Sequence, residues 1–288
     1  MIYTISNPHL SVSIDSLGAQ LRSVKSADAV ELLWQGDERY WGDCSPVLFP
    51  YIARLYDNSY TYLGQRYSMG IHGFAAHCEF QAADTGAECI TMILRESEAT
   101  LAQYPFSFSF SIVYSLCGES LKVSYIVENT GDKTMPFAVG GHPGFNVPRF
   151  EEAYLAFDEA CCPKRVGFTE ELFLSGLDSE YPLQDGRILP LSHSLFDEDA
   201  IILRDCAKGI SLCCPALGKR LHMSFPGFDY FGIWHMPRTD APYVCLEPWT
   251  SLPSRQGVVE ELSEKADMIM LPPGKRHQLC WTLSVCDM

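Results

Sequence analysis

Three short segments carry side chains whose types could move protons. Val139-Gly140-Gly141-His142-Pro143-Gly144-Phe145-Asn146 sets an imidazole in a glycine- and proline-rich turn. The two glycines before it and the Pro-Gly after it let the backbone turn sharply and come close to a ligand. Histidine ionises near neutral pH, and on a loop it serves as acid, base or ligand. Met69-Gly70-Ile71-His72-Gly73-Phe74 places a second histidine beside glycine, and Tyr243-Val244-Cys245-Leu246-Glu247-Pro248-Trp249 ends an apolar, strand-like run in a carboxylate. Desolvating a charge is costly, so an apolar strand keeps such a group when it is paired or at work. Each segment also has a plainer reading: the histidines as locally bonded turn residues, and Glu247 as a water-exposed strand end.

The elements that must hold these segments read as β-strands. Phe106, Phe108, Phe110, Ile112 and Tyr114 alternate with Ser107, Ser109, Ser111, Val113 and Ser115, which gives one buried and one mostly polar face. Leu121, Val123, Tyr125 and Val127 repeat the pattern across Cys117-Gly118-Glu119-Ser120, which predicts a hairpin. Leu10, Val12 and Ile14 do the same, as do runs over residues 90–94, 201–203 and 279–283. Pro272-Pro273-Gly274-Lys275 reads as a hairpin turn before the final strand, with Leu279 and Trp281 facing inward. The one helix expected is short, over residues 96–103, stopped by Tyr104-Pro105.

No shift of composition marks a linker and no repeat is evident, so the expectation is a single all-β domain over residues 1–288. A large antiparallel β-sandwich leaves a cleft on one concave sheet face, suited to a flat, hydroxyl-rich ligand. Trp34, Trp41, Trp234 and Trp249 sit beside loops or strand ends, where an indole can stack on a sugar ring; taken singly, each also reads as core.

With 47% hydrophobic and 20% charged residues, the 288-residue composition is that of a globular chain. The formal charge of −15, with no dense Lys/Arg cluster, argues against nucleic acid and anionic membrane as partners and favours a neutral ligand. No apolar stretch approaches the roughly 20 residues that span a bilayer. The start, Met1-Ile2-Tyr3-Thr4-Ile5, goes straight into strand-like sequence, so a cytoplasmic location is expected. Twelve cysteines without CxxC spacing read as reduced core residues, and no metal site is expected. His77 and His235 lack a metal-site arrangement and read as structural or surface residues. Gly36-Asp37-Glu38-Arg39-Tyr40-Trp41 reads as a polar turn, and Glu260, Glu261 and Glu264 as a solvated acidic loop.

In chain order, Arg54 within Phe49-Pro50-Tyr51-Ile52-Ala53-Arg54, then His72-Gly73-Phe74, then Gly141-His142-Pro143 with Phe145-Asn146, then Glu247-Pro248 resemble the aldose 1-epimerase (galactose mutarotase-like) superfamily. Leu48-Phe49-Pro50, Gln103-Tyr104-Pro105-Phe106 and Glu247-Pro248-Trp249 are similar to its compact LacX-like branch. The resemblance implies the large antiparallel sandwich and a sugar-binding cleft. It implies Glu247 as general base and His142 as general acid, with His72 and Arg54 binding the sugar. A hydroxyl-holding aspartate preceding a strand falls on Asp199, with Asp197 the competing position.

Interconverting sugar anomers fits these types. A carboxylate takes the C1 hydroxyl proton while an imidazolium, charged near neutral pH, protonates the ring oxygen. The ring opens, C1–C2 rotates and the ring recloses, so no metal or redox cofactor is called for. Two other classes share the fold: a binding or regulatory protein in which the same groups only hold hydroxyls, and a glycosidase, which wants two carboxylates flanking the bond. A hexose 6-phosphate substrate would need a basic pocket from residues such as Arg22, Lys25, Arg66 or Arg255. The sugar preferred and the oligomeric state are not legible.

Overall fold

The computed structural model describes residues 1–288. The serine-apolar alternation becomes strand Phe108–Cys117, paired antiparallel with Ser120–Asn129 around the expected tight turn. With Cys89–Arg95 on one side and Arg276–Asp287 on the other, these strands make four neighbours in a nine-stranded antiparallel sheet. Their apolar positions, Phe110, Ile112, Leu121, Val123 and Trp281 among them, are buried in a core that draws residues from Ile5 to Val285. The short helix is Glu98–Leu101, capped reciprocally by Ser97 and Thr100. No helix is long and apolar enough to cross a membrane.

The turn at residues 272–275 differs from expectation. Ile269–Leu271 pairs with Met135–Phe137 in a small separate sheet, whereas Arg276–Asp287 joins the nine-stranded one. Two consecutive prolines remove the N–H groups that a continuing ladder would need. The turn is clamped instead on the end of Ser120–Asn129: Gly274 N donates to Asn129 O (2.9 Å) and Asn129 N to Lys275 O (3.0 Å).

A second, eight-stranded sheet carries the candidate site. Its order runs Ser179–Glu180, Lys164–Arg165, Ile201–Arg204, Tyr230–Trp234 and Tyr243–Trp249; the last pairs with both Gly140–Gly141 and Gly144–Asn146, and Val47–Leu48 lies beyond. Tyr243–Trp249 is buried along its whole length. Val244 and Leu246 enter the main core, while Tyr243, Cys245, Glu247 and Trp249 alternate onto the other face. The nine-stranded sheet backs this one closely. A Cβ on Gly141 would lie 2.9 Å from Tyr125 Oη and 3.2 Å from Trp281 Nε1, two groups already hydrogen-bonded at 3.0 Å.

Candidate active site

A cleft of about 1260 Å³ opens over the eight-stranded sheet, and Arg54, His72, His142, Asp199 and Glu247 all line it. It exceeds the roughly 300–1,000 Å³ of most small-molecule pockets. His142 and Glu247 face each other from adjacent strand segments with Nε2 and Oε2 3.3 Å apart. Glu247 is not the exposed strand end of the plainer reading: it lies inside its strand, 1% exposed. Trp249 Nε1 donates to Glu247 Oε2 at 3.2 Å. His142 is nearly as buried, between the rings of Trp41 (5.0 Å between centroids) and Trp234 (5.6 Å).

Backbone bonds lace the His72 and Arg54 segments together. Phe49 N donates to His72 O (3.2 Å), His72 N to Ala53 O (3.0 Å) and Phe74 N to Phe49 O (3.0 Å). Gly73, at φ +78°, could carry no side chain, because a Cβ there would stand 2.2 Å from Phe49 O. Phe49 itself is anchored in the core, stacked 4.4 Å from Phe110. Ala53 N donates to His72 Nδ1 at 3.1 Å, which assigns the ring proton to Nε2. Arg54 stands exposed at the same loop.

Burial governs the electrostatics. It pushes Glu247 well above the usual carboxylate range, the nearby Asp199 adding to the rise and the Trp249 N–H opposing it. It holds His142 down at about 4. The imidazolium near neutral pH expected from sequence is therefore not His142's free-standing state. The pair has a simpler description. Glu247 gains and His142 loses affinity for protons, so between their two ionisations the pair holds one proton in common. Their attraction when both are charged, about 5 kcal/mol at 3.3 Å and an effective dielectric of about 20, offsets much of the desolvation cost. His72 is pushed well below the usual histidine value by burial, then by His142 and Arg54, and stands as a neutral N–H donor.

Asp199 and Asp197 both line the cleft. Asp199 is half-buried at a left-handed φ of +85°, its carboxylate accepts the Ala200 N–H (2.7 Å), and its charge acts on Glu247. Asp197 is exposed and its charge acts on His235 instead.

A family model for aldose 1-epimerase matches residues 1–279. This chain belongs to the aldose 1-epimerase family. The LacX proteins of Lactococcus lactis subsp. lactis are 32% identical over 265 residues, 88% of each chain. A galactose mutarotase related enzyme from Lactobacillus acidophilus superposes with a TM-score of 0.94 at 34% identity, covering 100% of this chain and 98% of its own. A galactose mutarotase-like protein from Lactobacillus casei gives 0.95 at 29% identity, covering 99% and 100%. The large antiparallel fold expected from sequence superposes on these two galactose mutarotase-like structures, and the expected resemblance to LacX stands in the Lactococcus matches.

Other residues of this epimerase-family cleft fall differently from expectation. Trp41, Trp234 and Trp249 line it, but Trp34 is core, its Nε1 donating to Trp41 O (2.8 Å) and its ring stacked on Tyr243 at 4.6 Å. The polar turn at residues 36–41 thus delivers Trp41 to the site. His77 lines the cleft, whereas His235 is buried, bonded to Met236 O (2.7 Å) and His193 (3.2 Å). Arg22, Lys25, Arg66 and Arg255 do not reach it; Arg66 pairs with Asp57, and Arg255 with Glu260, which is buried and not solvated. Arg165 and Arg238 do line it, and nothing in their local sequence signals that.

Proposed function

We propose that this chain is an aldose 1-epimerase acting on a neutral aldohexose in the cytoplasm, with Glu247 as base and His142 as acid. The observation that carries the proposal is the 3.3 Å approach of His142 Nε2 to Glu247 Oε2 on the cleft wall. The C1 hydroxyl and the ring oxygen share one carbon, so an acid and a base this close reach both at once. In the charged tautomer, Glu247 takes the hydroxyl proton while His142 Nε2–H protonates the ring oxygen and C1–O5 breaks. The pair is then in its neutral tautomer, one proton having moved from each side. Rotation about C1–C2 and the reverse transfers close the ring as the other anomer. The total proton count never changes, which is why a pair that shares one proton suits the task.

His72 Nε2–H and the Arg54 guanidinium donate to sugar hydroxyls, and Asp199 accepts from them. Trp41, Trp234 and Trp249 offer apolar ring faces to the pyranose. The test is magnetisation-transfer NMR between α- and β-anomer resonances of D-glucose and D-galactose. Faster exchange with protein supports the enzyme; binding without faster exchange assigns the chain to the sugar-binding class. A second reading has its own observation: Arg165 and Arg238 line the cleft, and neither is held by a carboxylate. They favour a sugar bearing an anionic substituent, and exchange measured on hexose 6-phosphates decides between the two.

A further inference from the structure

On the same face of its strand as Glu247, two residues earlier, stands Cys245, fully buried and with no hydrogen-bond partner for its sulfur. One donor atom from each of His142, Cys245 and Glu247 lies within 4.8 Å of the other two. We propose that these three residues form an inhibitory site for a thiophilic divalent cation of the zinc type. The site is distinct from any cofactor requirement, and only its effect on rate rests on the epimerase reading.

Tetrahedral bonds of about 2.0–2.2 Å to nitrogen and oxygen place those two ligands about 3.3–3.5 Å apart. His142 Nε2 and Glu247 Oε2 already stand at 3.3 Å. A zinc–sulfur bond of about 2.3 Å places the sulfur about 3.6 Å from either, so Cys245 Sγ must move by up to about 1.3 Å to complete the set. Charge also matches: thiolate, carboxylate and neutral imidazole with a dication sum to zero, so the cluster adds no net charge to a buried wall. On binding, the thiol and the acid-base pair each release a proton to solvent as the sulfur, nitrogen and oxygen lone pairs bond the ion. His142 and Glu247 line the cleft, which gives the ion its way in, while Cys245 lies buried and outside that lining.

His142 is nine-tenths buried and its Nδ1 has no hydrogen-bond partner. The proton that Nε2 shares with Glu247 Oε2, 3.3 Å away, leaves when the ion binds, which frees the Nε2 lone pair while Nδ1 keeps its hydrogen. A resident metal's histidine normally donates its other N–H to a neighbouring acceptor. His142 does not, so the bound ion exchanges. Its consequence is competition, because the ion occupies both the acid and the base.

The test is titration of the full, reduced, metal-free chain with Co²⁺, read by the thiolate-to-cobalt charge-transfer band and the visible ligand-field bands. The proposal expects one equivalent with tetrahedral intensity. Cys245→Ser weakens it by at least about 100-fold, beyond what loss of a ligand's supporting group costs, while Cys206→Ser, a buried thiol outside the cleft, leaves it unchanged. Glu247→Gln, nearly isosteric, weakens the same band and keeps the test decisive should Cys245→Ser misfold. Absence of a saturable thiolate–cobalt band, or a band unchanged in both variants, overturns the proposal. An intact band beside sugar exchange that Zn²⁺ does not slow would overturn the inhibitory role and count against Glu247 and His142 as the reacting pair, whereas an intact band with no catalysed exchange at all would count against the epimerase reading alone.

Discussion

Gly232→Ala tests whether Glu247 must sit where the sheet register puts it. Gly232 lies directly opposite Glu247 on the neighbouring strand. A methyl there would stand 3.1 Å from Glu247 Cβ, 3.4 Å from its Cδ and 3.2 Å from Ile202 Cδ1. Relaxed carbon–carbon contacts are about 3.5–4.0 Å, so something must yield by about half an ångström. Ile202 Cδ1 can rotate aside, but Glu247 Cβ is fixed to its backbone and carries the carboxylate with it. Since a misplacement of about 1 Å can cost roughly 10²-fold, kcat should fall about 10- to 100-fold with KM little changed. Overpacking should also destabilise the fold by about 1–3 kcal/mol, lowering Tm by several degrees. Initial rates of mutarotation over a range of sugar concentrations, beside thermal unfolding, measure both. Gly86→Ala is the control, since its methyl meets only Cys89 O at an ordinary 3.6 Å. A Gly232→Ala protein with lowered Tm and undiminished kcat would refute the claim that Glu247's position sets the rate.

Burial lowers His142 to about 4 and raises Glu247, so the one-proton state of the pair spans the range between them. Plots of kcat/KM against pH should be bell-shaped: activity falls below about pH 4 as a second proton occupies the base, and falls on the alkaline side as the pair loses its only proton. An acid limb at an ordinary histidine value contradicts this. His72→Ala should raise KM by about 3- to 10-fold with a smaller loss in kcat, as removal of one neutral hydrogen bond would, and His72→Gln should recover part of it; an effect confined to kcat would remove His72 from sugar binding. Lys265 is buried and held down at about 8, its ammonium donating to Ser251 Oγ (3.1 Å). The unfolded chain then binds more protons than the folded one between pH 8 and its ordinary value of 10.5, so this group's contribution to stability rises with pH across that window, by on the order of 3 kcal/mol. Denaturant titrations of native protein and Lys265→Met should diverge there; parallel curves would contradict the buried state of the lysine.

The sandwich was legible because period-two alternation survives in strands with one polar face, as at residues 106–127. The site was legible as residue types, because imidazoles among glycines and a carboxylate in an apolar run are chemically conspicuous. Strand limits were harder to read. Pro248 signals an end, yet it pairs opposite Phe231 and the strand continues to Trp249, which is why Glu247 is an interior residue. Proton affinity was illegible for a related reason. His142's low value arises from burial among rings that arrive from residues 41 and 234, and no local pattern announces them. Arg165 and Arg238 reach the cleft from segments far apart in the chain, whereas Arg66 and Arg255, equally basic on paper, are held away by Asp57 and Glu260.

The central claim is that the Glu247–His142 pair opens and closes a sugar ring. Polarimetry of freshly dissolved α-D-glucose and α-D-galactose, at low buffer concentration and with Glu247→Gln beside the native chain, tests it most directly. The expected result is accelerated mutarotation with at least one sugar, reduced about 10²–10⁴-fold in a variant that folds like the native protein. Acceleration that survives Glu247→Gln would contradict the assignment of the base. No acceleration of either sugar, or of its 6-phosphate, by a native chain that still binds it would contradict the enzyme itself.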